Sequence, residues 1–171
     1  MRVNVQGLPM EQDFPTQFEI APEKFKSEKS LHPETDPIII EPVYCDATLR
    51  RMPGDEVFLQ IEAHTHLENI CDRCTKLYQE ALEVQIQILC RPLTQRPYEQ
   101  EEEDEGLIYF TKSQLDLDEI VREQILLELP IQHLCDANCQ GLCTRCGENL
   151  NENAGHTCDT PQFMEYKAKV L

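Results

Sequence analysis

Between residues 57 and 67 apolar and polar positions alternate: Val57, Leu59, Ile61, Ala63, Thr65 and Leu67 interleave with Phe58, Gln60, Glu62, His64 and His66. A period of two puts each set on one face of a pleated strand, so this segment predicts a β-strand with one buried face. Leu82, Val84, Ile86, Ile88 and Cys90 repeat the pattern against Glu83, Gln85, Gln87 and Leu89 and predict a second strand. Cys71-Asp72-Arg73-Cys74 and a short Leu77–Ala81 segment lie between them. The two strands are therefore expected to form an antiparallel pair joined through a C-x-x-C turn.

Upstream, Ile38-Ile39-Ile40 through Leu49 reads as a strand broken by Pro42, and Arg51-Met52-Pro53-Gly54-Asp55 reads as a turn. Residues 1–36, rich in Pro, Glu and Lys with Phe14, Phe18, Ile20 and Phe25 along them, read as an extended arm that contributes a strand. Downstream, Asp116 is placed to cap a helix, with Glu119 at the capping-box position. Leu117, Ile120, Val121, Ile125 and Leu129 share one face of that helix, and Pro130 stops it. The expected fold class is α+β: an antiparallel β-sheet with one packed helix and a C-terminal zinc-knuckle-like segment. The expected divisions are an arm over 1–36, sheet plus helix over 37–130, a cysteine-rich segment over 131–158 and a tail over 159–171.

Charge changes the picture of partners. The chain has 171 residues, with 15 Lys and Arg against 32 Asp and Glu, a formal net charge of −17. Glu99-Gln100-Glu101-Glu102-Glu103-Asp104-Glu105 concentrates six acids in seven positions and predicts a solvated loop. Proteins that grip nucleic acid through its phosphates display a basic face, whereas an acidic molecule attracts basic proteins. A role in a nucleic-acid process is thus expected to run through a basic partner, with contact to RNA indirect. No stretch approaches the roughly 18 apolar residues of a membrane helix, and the N-terminus lacks the pattern of a secretory signal. The expected location is cytoplasmic.

The nine cysteines carry the candidate chemistry. An odd number without an export signal argues against a disulfide framework, and their clustering points to metal. Cys143-x2-Cys146-Gly147 has the form of a zinc knuckle: two thiolates one tight turn apart, followed by a residue able to adopt a left-handed conformation. Cys139 and Cys158 are chosen to complete a structural Zn2+ site with them. Alternatives stand beside that choice. His156 can replace Cys158, Cys135 can replace Cys139, and Cys71–Cys74 can close over Cys143–Cys146. Cys45 and Cys90 lie in strand-like runs and read as core residues, and His64 and His66 as solvated side chains. There is no H-E-x-x-H, no deaminase signature, no phosphate-cradling glycine loop and no nucleophile elbow, so no enzyme is expected.

Two stretches carry a family resemblance. Ile70-Cys71-Asp72-Arg73-Cys74 followed by an aromatic and an amphipathic strand resembles the first motif of the YceD family. Leu126-Leu127-Glu128-Leu129-Pro130, then Leu134-Cys135-x3-Cys139-Gln140-Gly141-Leu142-Cys143-Thr144-Arg145-Cys146-Gly147-Glu148-Asn149-Leu150-Asn151, is similar to its second. The resemblance covers roughly residues 38–158. It implies a non-enzymatic role in accumulation of the large-subunit (23S) ribosomal RNA in bacteria and plant plastids, and an association with genes for a small zinc-ribbon protein of that subunit. Many members end in C-x-C where this chain has His156-Thr157-Cys158.

Three functional expectations follow. The first is a ribosome-biogenesis factor that meets a basic large-subunit ribosomal protein or a precursor particle. The alternative is a thiol redox or sensing protein using Cys71 and Cys74, although such pairs usually open a helix in a βαβ unit. A direct RNA-binding ribbon is the third, and it is poorly supported because Arg145 is the one cation inside the knuckle.

Overall fold

The computed structural model describes residues 1–25, 38–95 and 107–158. The acidic run 99–105 and the tail 159–171 lie outside the described residues.

The alternating segments form the centre of the molecule. Strand β5 (Val57–Ile70) pairs antiparallel with β6 (Leu77–Pro92) through fourteen matched positions, from Val57 opposite Cys90 to Ile70 opposite Leu77. The hairpin is longer than the alternation predicts: Leu77–Ala81 belongs to β6, and β5 runs on to the first cysteine. On the other side of β5 lies β4 (Val43–Arg51), preceded by β3 (Ile38–Ile39), which pairs with Leu67 and Glu68. Pro42 separates β3 from β4, as a residue lacking an N–H does in a ladder.

The N-terminal residues are integral. β1 (Arg2–Asn4) pairs with β8 (Gln114–Asp116), and β2 (Asp13–Ile20) forms the sheet edge beside β4. Val3, Val5, Leu8 and Ile20 are all buried in the core. At the opposite edge β7 (Leu107–Phe110) runs parallel to β6, so the sheet is mixed where a purely antiparallel one is expected. A hairpin cannot make a parallel pair. The chain instead leaves β6 at Pro92 and returns at Leu107 in the same direction, over residues 96–106 that include the acidic run.

Helix α1 (Leu117–Glu128) covers the inward face of the sheet. Leu117, Ile120, Val121 and Ile125 meet Leu49, Leu59, Ile61, Val84 and Ile86 in one core. Each such side chain stabilises the fold by about 1.5–3 kcal/mol through burial. Asp116 takes the N-cap position, but its carboxylate accepts from Arg2 Nε (2.9 Å) instead of making a capping hydrogen bond. Cys45 and Cys90 are buried, and burial pushes both thiols up to about 12, as expected of inert core cysteines. The far end of the β5–β6 hairpin projects past its neighbours. A second, smaller apolar cluster gathers there around Cys71, Cys74 and Cys139, with Tyr78, Leu134 and Leu142 packed on it.

Candidate metal centre

Two C-x-x-C turns, far apart in sequence, share one hydrogen-bond pattern. At the hairpin tip the Thr75 N–H donates to Cys71 O (2.9 Å) and the Cys71 N–H to Lys76 O (2.9 Å). In the C-terminal segment the Gly147 N–H donates to Cys143 O (2.8 Å) and the Cys143 N–H to Glu148 O (2.7 Å). Each turn reverses through a left-handed residue, Thr75 at φ 57° and Gly147 at φ 78°. Such a turn aims its two thiols at a common point, which is what a metal knuckle requires.

Each knuckle is completed by two further ligand atoms. Cys71, Cys74, Cys135 and Cys139 bring their sulfurs within 4.8 Å of one another, and Cys143, Cys146, His156 and Cys158 do the same with three sulfurs and an imidazole nitrogen. The sequence-predicted set is therefore divided. Cys143, Cys146 and Cys158 stand together with His156 joining them, while Cys139 stands with Cys71, Cys74 and Cys135. Contacts with Arg73 are the physical reason. They hold Cys139 and Leu142 on the hairpin tip, with Gly141 at φ +75° between them, while Cys143 opens its own knuckle, so residues four apart face different centres. His156 and Cys158 enter one group side by side, where the sequence alone offers them as substitutes.

The spacing suits a tetrahedral ion. Thiolate bonds of about 2.3 Å in a tetrahedron separate two sulfurs by about 3.8 Å. Cys71 Sγ lies 3.7 Å from Cys139 Sγ, and Cys74 Sγ lies 3.5 Å from Cys135 Sγ. In the other group Cys146 Sγ lies 3.2 Å from His156 Nε2. Either group can hold a metal ion.

Hydrogen bonds dock the cysteine segment on the hairpin tip. The Asp72 N–H donates to His133 O (2.8 Å), and the His133 N–H returns a bond to Asp72 Oδ2 (2.7 Å). Arg73 Nη1 donates to Cys139 O (3.0 Å), while Arg73 O accepts the Leu142 N–H (3.0 Å). These bonds place Cys135 and Cys139 over Cys71 and Cys74. Burial separates the two groups: Cys71, Cys74 and Cys139 are buried, whereas Cys146 is exposed and its three partners are half-buried.

The electrostatics of both groups are compatible with a bound cation. Burial opposes the Cys71 thiolate, but N–H groups of Cys135, Cys74 and Arg73 outweigh it and bring the thiol down to about 6. Cys135 moves up to about 12, chiefly because the Cys74 sulfur bonds beside it. In the second group the N–H groups of Arg145 and Cys146 bring Cys143 down to about 6. His156 is raised by the Cys158 and Cys143 thiols. Each group stabilises one thiolate and resists the next, and a divalent ion at its centre removes that resistance.

A redox C-x-x-C gains its reactivity at a helix N-terminus. Here the pair sits between two antiparallel strands, with each thiol facing a cysteine of the 135–139 segment.

Comparison with known proteins adds the lineage. Residues 59–165 match the family described as large ribosomal RNA subunit accumulation protein YceD. The chain belongs to the YceD family. The matched span takes in both knuckles, α1 and most of the hairpin that carries the first group. Among curated relatives, the chloroplastic large ribosomal RNA subunit accumulation protein YCED homolog 1 of Zea mays is 40% identical over 45 residues, 26% of this chain and 15% of its own. Its Arabidopsis thaliana counterpart is 38% identical over 39 residues, 23% of this chain and 12% of its own. An uncharacterized protein of Mycobacterium leprae is 27% identical over 92 residues, 52% of this chain and 41% of its own. The chain thus spans well under half the length of these relatives. No solved structure matches it at a significant level. Among the described residues no helix is long and apolar enough to cross a membrane.

Proposed function

We propose that this protein is a non-enzymatic factor for accumulation of large-subunit (23S) ribosomal RNA, and that it acts by binding a basic large-subunit ribosomal protein, free or within a precursor particle. Family membership carries the ribosomal part of this reading. The open face of the sheet supports the partner. Across β2, β4, β5 and β6 that face presents Glu19, Asp46, Glu62, Glu68 and Glu83. Its cations are engaged, Arg50 by Asp13 and Arg91 by Glu56. Asp46 and Glu62 stand directly opposite one another on a polar groove of about 610 Å³, next to the stacked rings of Tyr44 and His64. Like charges in cross-strand register destabilise a sheet. A cationic partner relieves that repulsion and is drawn to the face at long range.

The two ligand groups each hold a structural zinc ion in this reading. Four protein ligands close the coordination shell and leave no position for substrate, as in structural sites. Bound there, zinc supplies cross-links: the Cys71 group fastens the cysteine segment to the hairpin, and the Cys143 group closes that segment on itself.

The test is recovery of the tagged protein from cells at low and moderate salt, with protein, ribosomal RNA and zinc quantified in one eluate. Salt-sensitive recovery of a basic large-subunit protein, with two zinc ions per chain, is the expected result. Tight binding of naked ribosomal RNA with no large-subunit protein present overturns it.

A further inference from the structure

We propose that Asn151 is a positioning residue that couples the two metal groups, so that an ion held by Cys143, Cys146, His156 and Cys158 tightens the hold of Cys71, Cys74, Cys135 and Cys139 on theirs. This rests on the reading that both groups carry metal. Asn151 lies between Cys146 and His156, within the loop that the exposed group closes. Its backbone N–H donates to Asn149 Oδ1 (3.1 Å), and the adjoining Leu150 N–H donates to Gly141 O (3.0 Å).

Its carboxamide reaches the other group. Nδ2 donates to Cys139 Sγ (3.4 Å) and to Asn149 Oδ1 (2.8 Å), while Oδ1 accepts the Gln140 N–H (2.7 Å). One side chain thus clamps the Cys139–Gln140 unit by a sulfur and a backbone nitrogen. Four thiolates around a divalent ion leave two uncompensated negative charges, and N–H···S bonds are a direct means of spreading them. Partners of this kind, one shell beyond the ligands, change metal affinity by about 10–100-fold. Asn151 itself is exposed, so its position depends on the loop that carries it. An ion in the exposed group fixes that loop, and the cost of ordering Asn151 is then already met when the buried group binds.

The test uses the full chain loaded with cadmium and challenged with EDTA. Cadmium NMR follows it, because four-sulfur and three-sulfur-one-nitrogen sites give separate resonances. Asn151→Asp keeps the acceptor for Gln140 and removes the donor to Cys139. The expected result is release from the four-sulfur site on the order of tenfold faster, with a shift of that resonance. Cys146→Ser with Cys158→Ser empties the exposed site and is expected to speed release from the buried one in the wild-type background, and to add nothing to Asn151→Asp. Equal acceleration in both backgrounds overturns the coupling. So does wild-type release from the buried site after the two serine substitutions, an outcome that needs no Asn151 variant to fold. A wild-type chain showing fewer than two cadmium resonances overturns the metal reading itself.

Discussion

Thr75 and Gly147 hold the same position in two equivalent turns, each donating its N–H to the carbonyl of the cysteine four residues earlier. Both are left-handed, yet one carries a β-branched side chain and the other none. L-residues resist that conformation by roughly 1–2 kcal/mol. Thr75→Gly is therefore expected to slow metal loss from the buried group, and Gly147→Ala to hasten loss from the exposed one. Release to a chelator measures both. An unchanged rate for Gly147→Ala removes the argument from conformation.

Gly141 makes a different demand. A Cβ there would stand 3.0 Å from Arg73 O, the carbonyl that accepts the Leu142 N–H, and φ is +75° as well. Gly141→Ala is expected to cost about 1–3 kcal/mol in docking the cysteine segment. Hydrogen exchange at Leu142 and Cys139 should rise while exchange in β4 and β5 stays put. Uniform exchange across the chain would place the damage elsewhere.

Asp118 links the start of α1 to the N-terminal residues. Its carboxylate meets Lys24 Nζ and the Met1 amine, and these outweigh the burial that opposes its charge, so its pKa lies below the ordinary 3.8. A depressed carboxylate stabilises the fold above its unfolded pKa and loses that contribution as pH falls through the folded one. Asp118→Asn should thus lower stability at neutral pH by about 1 kcal/mol and leave little difference near pH 2. Urea melts at both pH values decide it. An equal loss at both would mean that packing, not charge, is what Asp118 supplies.

Glu62 separates stability from recognition. Glu62→Gln removes the repulsion with Asp46 while keeping size, and is expected to stabilise the sheet by about 0.2–1 kcal/mol. The same change should weaken salt-sensitive capture of the basic partner. A thermal melt read beside a pull-down checks the pair. Stabilisation with undiminished capture would move the partner off this face.

Much of this arrangement is legible in the sequence, and the gaps have physical causes. Alternation from Val57 and from Leu82 reveals the hairpin because one face of each strand is buried against α1. The pattern loses its clarity where the hairpin leaves the sheet. There Asn69, Tyr78 and Glu80 form a polar network, and Tyr78 also packs on the cysteine cluster. Strand β2 is an edge, with Phe14 exposed and Phe18 half-buried, so its periodicity is weak. Cys143, Cys146 and Cys158 lie in one group, whereas Cys139 lies with Cys71, Cys74 and Cys135 at the hairpin tip. Local spacing cannot show that placement, because it depends on the contacts of Arg73 with Cys139 and Leu142. Ligand arithmetic was the available signal: with Cys45 and Cys90 in strands, seven cysteines and His156 make two sets of four.

The reach of the buried group along the chain has a thermodynamic side. Cys71 and Cys139 are 68 positions apart, Cys74 and Cys135 are 61, and the loop between them contains β6, β7, β8 and α1. Those ends come together only in the folded chain, so an ion held there would bind the native state alone and stabilise it by its binding free energy. Seated at the tip of the hairpin, outside the apolar core, such an ion would raise the stability of the whole domain without touching a single side chain of that core.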